Sequence, residues 1–347
     1  MKQRKFANID PIRQHNSLKQ FKRWRQERSR KLREKDYSYQ VPCAKPDVDY
    51  LHRNVTARKP SVTWIGHSTF LIQLGGLNIV TDPVWAGQMA FQKRLAPPGI
   101  PIESLPPIDI VLISHSHYDH LHMSSLRRLP GRKRLLVPAG LRSKLLTKGF
   151  TEVMELEWWE STTIHGLKFS FVPSQHWTRR TLLDTNRSHW GGWVIEPYAL
   201  EAAAAERSAT AVRQTTDVYA EESRGSVKRP VVSSAPTIYF AGDSGYFGGF
   251  SEIGRRFAID VALMPIGAYE PEWFMGPQHV TPEEALQAFA DTGAEWFVPM
   301  HYGSFKLADD TPREALDRLE AERVKREIGT ERIVVLPHGE TWRLSGK

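Results

Sequence analysis

A chain of 347 residues with 40% hydrophobic content, 11 Trp and 15 Phe can bury a sizeable core, which excludes a disordered chain and admits one large or two modest domains. The net charge of +8 is unevenly spread. Residues 1–35 hold 13 of the 47 Lys/Arg and three of the 39 Asp/Glu, leaving a near-neutral body that is not expected to track nucleic acid. A single cysteine, Cys43, excludes an intramolecular disulfide and a thiolate-rich metal site.

In chain order, FKRWRQERSRKLREK is predicted helical within a basic N-terminal arm over residues 1–55. Trp24 among Lys22, Arg23 and Arg25 suits either an anionic lipid headgroup layer or simple packing on the body. The first residues lack the apolar core of a secretory signal, and no apolar run nears the roughly 20 residues of a membrane span. A cytoplasmic location is expected, with contact at the inner membrane face left open.

From residue 62 the pattern turns to strands. VTWI, TFLIQL and LNIVT read as an antiparallel meander around Gly75-Gly76, followed by the buried strand IDIVLIS. MSSLRRLP and GLRSKLLTKG read as short helices flanking the strand RLLVP, and KFSFVP and GGWVIE as further strands. Residues 199–236, rich in Ala, Ser, Thr and charge, read as a surface insertion. Strands resume at TIYFAGD and DVALMP. Thr281 is placed to cap a helix over EEALQAFAD that ends at Gly293. The strand WFVPM, a helix near PREALDRLEAERVKREIG and a strand RIVVLP follow. Blocks of strands and helices in both halves suit two packed sheets with helices outside, in one body over residues 56–347.

The run Ser114-His115-Ser116-His117-Tyr118-Asp119-His120 ends the apolar strand IDIVLI. Three imidazoles and a carboxylate fixed at a sheet edge are costly to hold together without a cation that attracts them all. Residues i and i+2 can converge on one ion while i+4 and i+5 turn toward a neighbour. His115 and His117 are thus expected on one metal and Asp119 and His120 on another. Each pair is too few, so more ligands are required downstream. His176, Asp243 and His301 each follow a strand and are the candidates, with Asp243 lying between Gly242 and Gly245.

The HSHYDH run with these downstream residues resembles the metallo-β-lactamase superfamily, an αββα sandwich of two mixed sheets with a dinuclear site. Within it, TWIGHSTFLIQLGGLNIVTDPVW, FVPSQHWTRRTLLDTN, GAYEPEWFM and QHVTPEEA resemble the branch of phospholipases D that hydrolyse N-acylphosphatidylethanolamine. The resemblance covers roughly residues 60–305. It implies two zinc ions, with iron or manganese also compatible with an all-nitrogen/oxygen donor set. It places His115, His117 and His176 on one ion, Asp119, His120 and His301 on the other, and Asp243 between them. It also implies that Gln278 and His279, with Tyr118, lie at the substrate mouth. His279 is alternatively a helix-entry residue bonding backbone, and His67 either packs behind the ligands or is a plain turn residue. The basic arm and the 199–236 insertion have no clear counterpart in the mammalian members.

The resulting expectation is a metal-dependent hydrolase in which hydroxide attacks a phosphodiester, Asp119, Asp243 and His279 serve catalysis, and either water or His279 protonates the leaving group. N-acylphosphatidylethanolamine would give phosphatidic acid and an N-acylethanolamine. An apolar wall from Trp85, Met89, Phe91, Trp273, Phe274 and Met275 would receive the lipid, unless these residues are core. The expected partners are a phospholipid, an anionic membrane surface through the arm and a second copy in a homodimer, with no nucleic acid. Two rivals stand: a zinc hydrolase of a soluble lactone or phosphodiester, and a non-catalytic binding module worked by the arm. The module would lose its function with residues 1–35, whereas a hydrolase is expected to keep turnover of a soluble diester.

Overall fold

A computed structural model describes residues 4–11, 18–31, 35–89, 92–198 and 235–344. All but the last two residues of the 199–236 insertion, and Phe91, fall outside that set. The described chain forms strands β1 (Ser61–Gly66), β2 (Thr69–Leu74) and β3 (Leu77–Thr81), a small ribbon β4 (Gln88–Met89) and β5 (Gln92–Lys93), then β6 (Ile110–Leu112), β7 (Arg134–Pro138) and β8 (Val153–Leu156). The second half supplies β9 (Ser161–Ile164), β10 (Leu167–Val172), β11 (Gly192–Pro197), β12 (Ile238–Phe240), β13 (Val261–Pro265), β14 (Trp296–Met300) and β15 (Thr341–Arg343).

One sheet has the order β15-β1-β2-β3-β6-β7-β8 and the other β14-β13-β12-β11-β10-β9. Both are mixed: β3, β6, β7 and β8 run parallel, as do β12, β13 and β14, and the remaining pairs are antiparallel. Alternation along the parallel strands explains the layers. Ile110, Leu112 and Leu136 join the large core that contains residues of both sheets, while Val111, Ile113, Leu135 and Val137 join a second core with Leu126, Leu141 and Leu145. Those three leucines belong to or adjoin helices Met123–Arg128 and Arg142–Leu146. The expected αββα sandwich is the fold.

The helix Pro282–Thr292 follows the sequence chemistry closely. Thr281 Oγ1 accepts from the Glu284 amide at 3.2 Å, the Glu284 carboxylate accepts from the Thr281 amide at 3.0 Å, Pro282 opens the first turn, and Gly293 ends it at φ +66°.

Three expectations need correction. The arm does not extend to residue 55, because helix Val48–Ala57 spans that boundary and buries Leu51 among residues of the sheet core. RIVVLP is not a strand. The 3-10 turn Thr330–Arg332 takes up its start, Ile333 makes one bridge to Phe297, and Pro337 has no N–H to continue a ladder. Trp85 is core rather than wall, with its indole donating to Ile100 O at 2.8 Å, and Met89 is buried with Val84 and Phe305. Within the arm, Trp24 of helix Leu18–Lys31 stacks on Phe274 at 5.9 Å and Arg28 pairs with Asp309 at 3.0 Å, so Trp24 packs on the body.

Replacing Thr281 with Ala removes a reciprocal cap and is expected to cost about 1 kcal/mol, read as a lowered midpoint in urea unfolding with an unchanged slope.

Candidate metal centre

The seven expected ligands and Asp82 sit just past the C-terminal ends of strands, whereas Gln278 and His279 follow the short helix Glu272–Met275. Asp82 follows β3, the 114–120 run follows β6, His176 follows β10, Asp243 follows β12 and His301 follows β14. Several of the connecting loops need unusual backbone. His67 and His301 have φ +56° and +63°, and the His301 amide donates to His67 O at 3.2 Å, so each left-handed turn braces the other. Gly242 has φ +64°, and a Cβ there would lie 2.6 Å from Ser114 Cβ. Only glycine lets the Asp243 loop approach the histidine run this closely.

The side chains converge in overlapping groups: His115, His117 and His176; His67, Asp119, His120 and His301; His176, Asp243 and His279; Asp82, His115 and His120. Asp243 joins the first two. Its Oδ2 is 3.1 Å from His120 Nε2 and 3.8 Å from both His115 Nε2 and His176 Nε2, and its Oδ1 is 3.2 Å from His301 Nε2.

Hydrogen-bond accounting shows why a cation fits. Ser114 Oγ donates to Asp82 Oδ2 at 2.5 Å and so accepts from His115 Nδ1 at 2.9 Å. His176 Nδ1 donates to the carbonyl of Gln278 at 3.0 Å. In the neutral rings both Nε2 atoms therefore carry lone pairs. His117 Nδ1 lies 2.9 Å from the first and 3.2 Å from the second. One proton on His117 can satisfy only one of them. His120 Nδ1 likewise donates to Asp82 Oδ2 at 2.7 Å, turning Nε2 toward Asp119 and Asp243. Asp243 Oδ1, His279 Nδ1 and His301 Nδ1 are buried without a hydrogen-bond partner. A converging set of acceptors with too few protons is what divalent cations satisfy.

The electrostatics agree. Burial pushes His67, His176 and His279 down to about 3 and His117 to about 4, and burial with neighbouring imidazoles holds His115 well below the ordinary range. Burial also opposes charge on His120 and His301, but the carboxylates outweigh it. Asp243, Asp119 and Asp82 hold His120 well above the ordinary range, and Asp243 with Asp119 lifts His301 to about 9. Against their own burial, Asp119 and Asp243 stay well below the usual carboxylate range beside these rings. Without metal, protons on His120 and His301 supply the positive charge that the two carboxylates require.

The Beta-lactamase superfamily domain matches residues 77–205 and 198–302 of this sequence. The chain belongs to the metallo-β-lactamase superfamily. An uncharacterized Mycobacterium tuberculosis protein is 32% identical over 80% of this chain and 67% of its own length. The N-acyl-phosphatidylethanolamine-hydrolyzing phospholipase D 1 of Caenorhabditis elegans is 30% identical over 82% of this chain and 76% of its own. A UPF0173 metal-dependent hydrolase of Myxococcus xanthus is 29% identical over 83% and 85%. Among solved structures, a metallo hydrolase from Ignicoccus hospitalis superposes with TM-score 0.57 at 22% identity, covering 83% of this chain and all of the other. An isothiocyanate hydrolase from Delia radicum gut bacteria superposes with TM-score 0.60 at 18% identity, covering 82% and 100%. These two show likeness of fold alone. Family and donor set together make this protein a metal-dependent hydrolase of the metallo-β-lactamase fold.

All seven expected ligands of this superfamily member lie in the convergent groups. His67 Nε2 lies 3.1 Å from Asp119 Oδ2, close enough to be a further donor to the same group. Gln278 acts through its backbone, which orients His176, while its side-chain oxygen accepts from the Trp177 indole. His279 Nδ1 is 3.9 Å from Asp243 Oδ2. Tyr118 is 52% exposed at the rim, its hydroxyl donating to Arg180 O at 2.8 Å.

Sequence reasoning passed over two residues. Asp82 is buried and bonds Ser114 and His120 together; an aspartate directly after a strand and before Pro83 was the available signal. Arg180 Nη1 donates to the carbonyls of Ser116 at 2.7 Å and Leu121 at 2.9 Å, clamping the ligand loop, and its guanidinium lies 4.1 Å from the Tyr118 ring. No spacing in the sequence announces that contact.

Asp82→Asn turns an amide N–H₂ toward donors and is expected to weaken metal binding roughly 10–100-fold in chelator competition. Removing the metal exposes a pH signature. Unfolded imidazoles titrate near 6.5. The five depressed histidines thus stabilise the metal-free fold above 6.5, and that stability is lost as pH falls toward 4. The raised pair contributes fully below 6.5 and is lost as pH rises, for His301 through about 9. Between pH 6.5 and 4 the raised pair is constant and only the depressed group changes, so calorimetry of the metal-free protein is expected to show a melting temperature that falls over that range.

Proposed function

We propose that the protein is a dinuclear zinc phosphodiesterase of phospholipase D type that acts on N-acylphosphatidylethanolamine-like lipids. The observation that carries the dinuclear reading is Asp243, whose carboxylate reaches both groups: Oδ1 faces His301, and Oδ2 faces His120 as well as His115 and His176. The lipid reading is supported by the C. elegans phospholipase D, similar over most of both chains. In this reading His115, His117, His176 and Asp243 hold one ion, and Asp119, His120, His301 and Asp243 the other.

Paired divalent cations lower the pKa of water and neutralise charge gathering on non-bridging phosphoryl oxygens. The chain's own residues do the rest. Asp243 fixes the spacing of the two donor groups, and His67 holds the Asp119 carboxylate in place. Burial keeps His279 neutral at pH 7. In this reading a neutral ring nitrogen of His279 is a hydrogen-bonding partner for a phosphoryl oxygen, and water supplies the proton to the departing alkoxide.

Access from a bilayer is supported by the loop after His176. Leu182 and Leu183 are 89% and 79% exposed, beside the exposed Arg179 and close in sequence to the Arg180 clamp. Apolar tips with flanking cations suit insertion at an anionic interface. The arm adds the exposed cations Lys22, Arg23 and Arg25. No helix among the described residues is long and apolar enough to cross a membrane.

Mass-spectrometric product analysis of vesicles containing N-acylphosphatidylethanolamine, with a soluble short-chain phosphodiester in parallel, tests the reading. Phosphatidic acid and N-acylethanolamine are expected from protein holding close to two metal equivalents. Turnover of the soluble compound alone would overturn the lipid assignment. Asp243→Asn is expected to abolish both activities with the fold retained by circular dichroism. Leu182→Ser with Leu183→Ser is expected to cut vesicle turnover several-fold and leave the soluble reaction unchanged.

A further inference from the structure

We infer that the N-terminal segment is a working part of the metal centre, with Asn8 as the positioning residue for His176. The inference rests on the ligand role proposed for His176 and concerns how that ligand is held. Both atoms of the Asn8 amide are committed to it: Nδ2 donates to His176 O at 2.9 Å, and the His176 amide donates to Oδ1 at 3.0 Å. This reciprocal pair grips the ligand's main chain across 168 residues of sequence. The Trp190 indole donates to the same Oδ1 at 2.8 Å, fixing the Asn8 side chain in turn.

The segment around Asn8 is anchored independently. Phe6 is buried and stacks on His189 at 4.4 Å, and its amide donates to Asn186 O at 2.9 Å. His189 lies against Trp158 at 4.1 Å on its other contact, so Phe6 completes an aromatic box. Arg4 forms an ion pair with Glu157.

The His176 ring is now held at two levels. Gln278 O fixes the tautomer through Nδ1, and Asn8 fixes the backbone from which the ring projects. Loss of such outer partners typically weakens a metal roughly 10–100-fold, because the ligand must then be ordered by the ion itself. The contact also changes what removal of residues 1–35 would mean. Such a deletion disturbs the metal centre as well as any membrane contact, so lost activity would not identify a binding module.

The test uses full-length protein and Zn²⁺ competition against a chromophoric chelator, with His176 amide exchange followed by NMR in metal-free samples. Asn8→Ala is expected to weaken one zinc equivalent roughly 10–100-fold, to spare the other, and to speed His176 exchange. Leu319→Ala, a core truncation in helix Pro312–Lys325, is the stability control and is expected to lower the melting temperature with zinc affinity unchanged. Unchanged affinity and exchange in Asn8→Ala would overturn the inference, as would equal weakening by both variants. Parent protein holding one equivalent would instead sink the dinuclear reading, and the Asn8 comparison would still be decided by His176 exchange and that equivalent. Phospholipid turnover enters neither readout, so failure of the lipid assignment leaves the result intact.

Discussion

Two carboxylates and a ring of imidazoles, all taken out of water, face one another at the edge of two sheets, and their mutual demand for positive charge organises the rest of the site. A buried carboxylate without a partner is far more costly than any single strained turn. The left-handed backbones at His67 and His301 and the close approach at Gly242 are therefore tolerated, since each brings a donor into the group. In the metal-free chain the proton load is divided unequally between imidazoles of the same type. Nearness to Asp119 and Asp243 decides which rings are charged, and burial decides that the others are not.

Convergence alone would leave the rings free to turn. What fixes them is a surrounding set of acceptors that cannot change role. Asp82 holds His120 directly and His115 through Ser114, the Gln278 carbonyl holds His176, and Arg180 ties down the loop carrying His117 and Asp119. A carbonyl only accepts and a guanidinium only donates. The tautomers that point nitrogen lone pairs inward follow from that.

The layers and the seven converging side chains were legible because both rest on short-range patterns. Apolar runs that stop at polar residues mark strand ends, and a cation is the simplest reason to gather histidines there. The caps at Thr281 and Gly293 were legible for the same reason. Asp82, Arg180 and Asn8 were not, because each acts on main-chain or ring atoms far away in sequence, and any polar residue reads alike until the fold sets its neighbours. The arm was legible in part. Packing of Trp24 on the body was one of its two readings and is what the structure shows, but the contacts that place Phe6 and Asn8 are ones that charge counting does not see. RIVVLP misled by propensity, since β-branched residues cannot form a ladder where a turn and a proline take up the donors.

The pairing of β1 with β15 has a bearing on biosynthesis. Ser61, Val62 and Thr63 find partners in Arg343, Trp342 and Thr341, so one margin of the first sheet is covered only by residues about 280 positions further along the chain. Until then a nascent chain presents an uncapped strand able to recruit neighbours. Protection of that strand against self-association during translation thus rests on three residues that pair with it from far along the sequence.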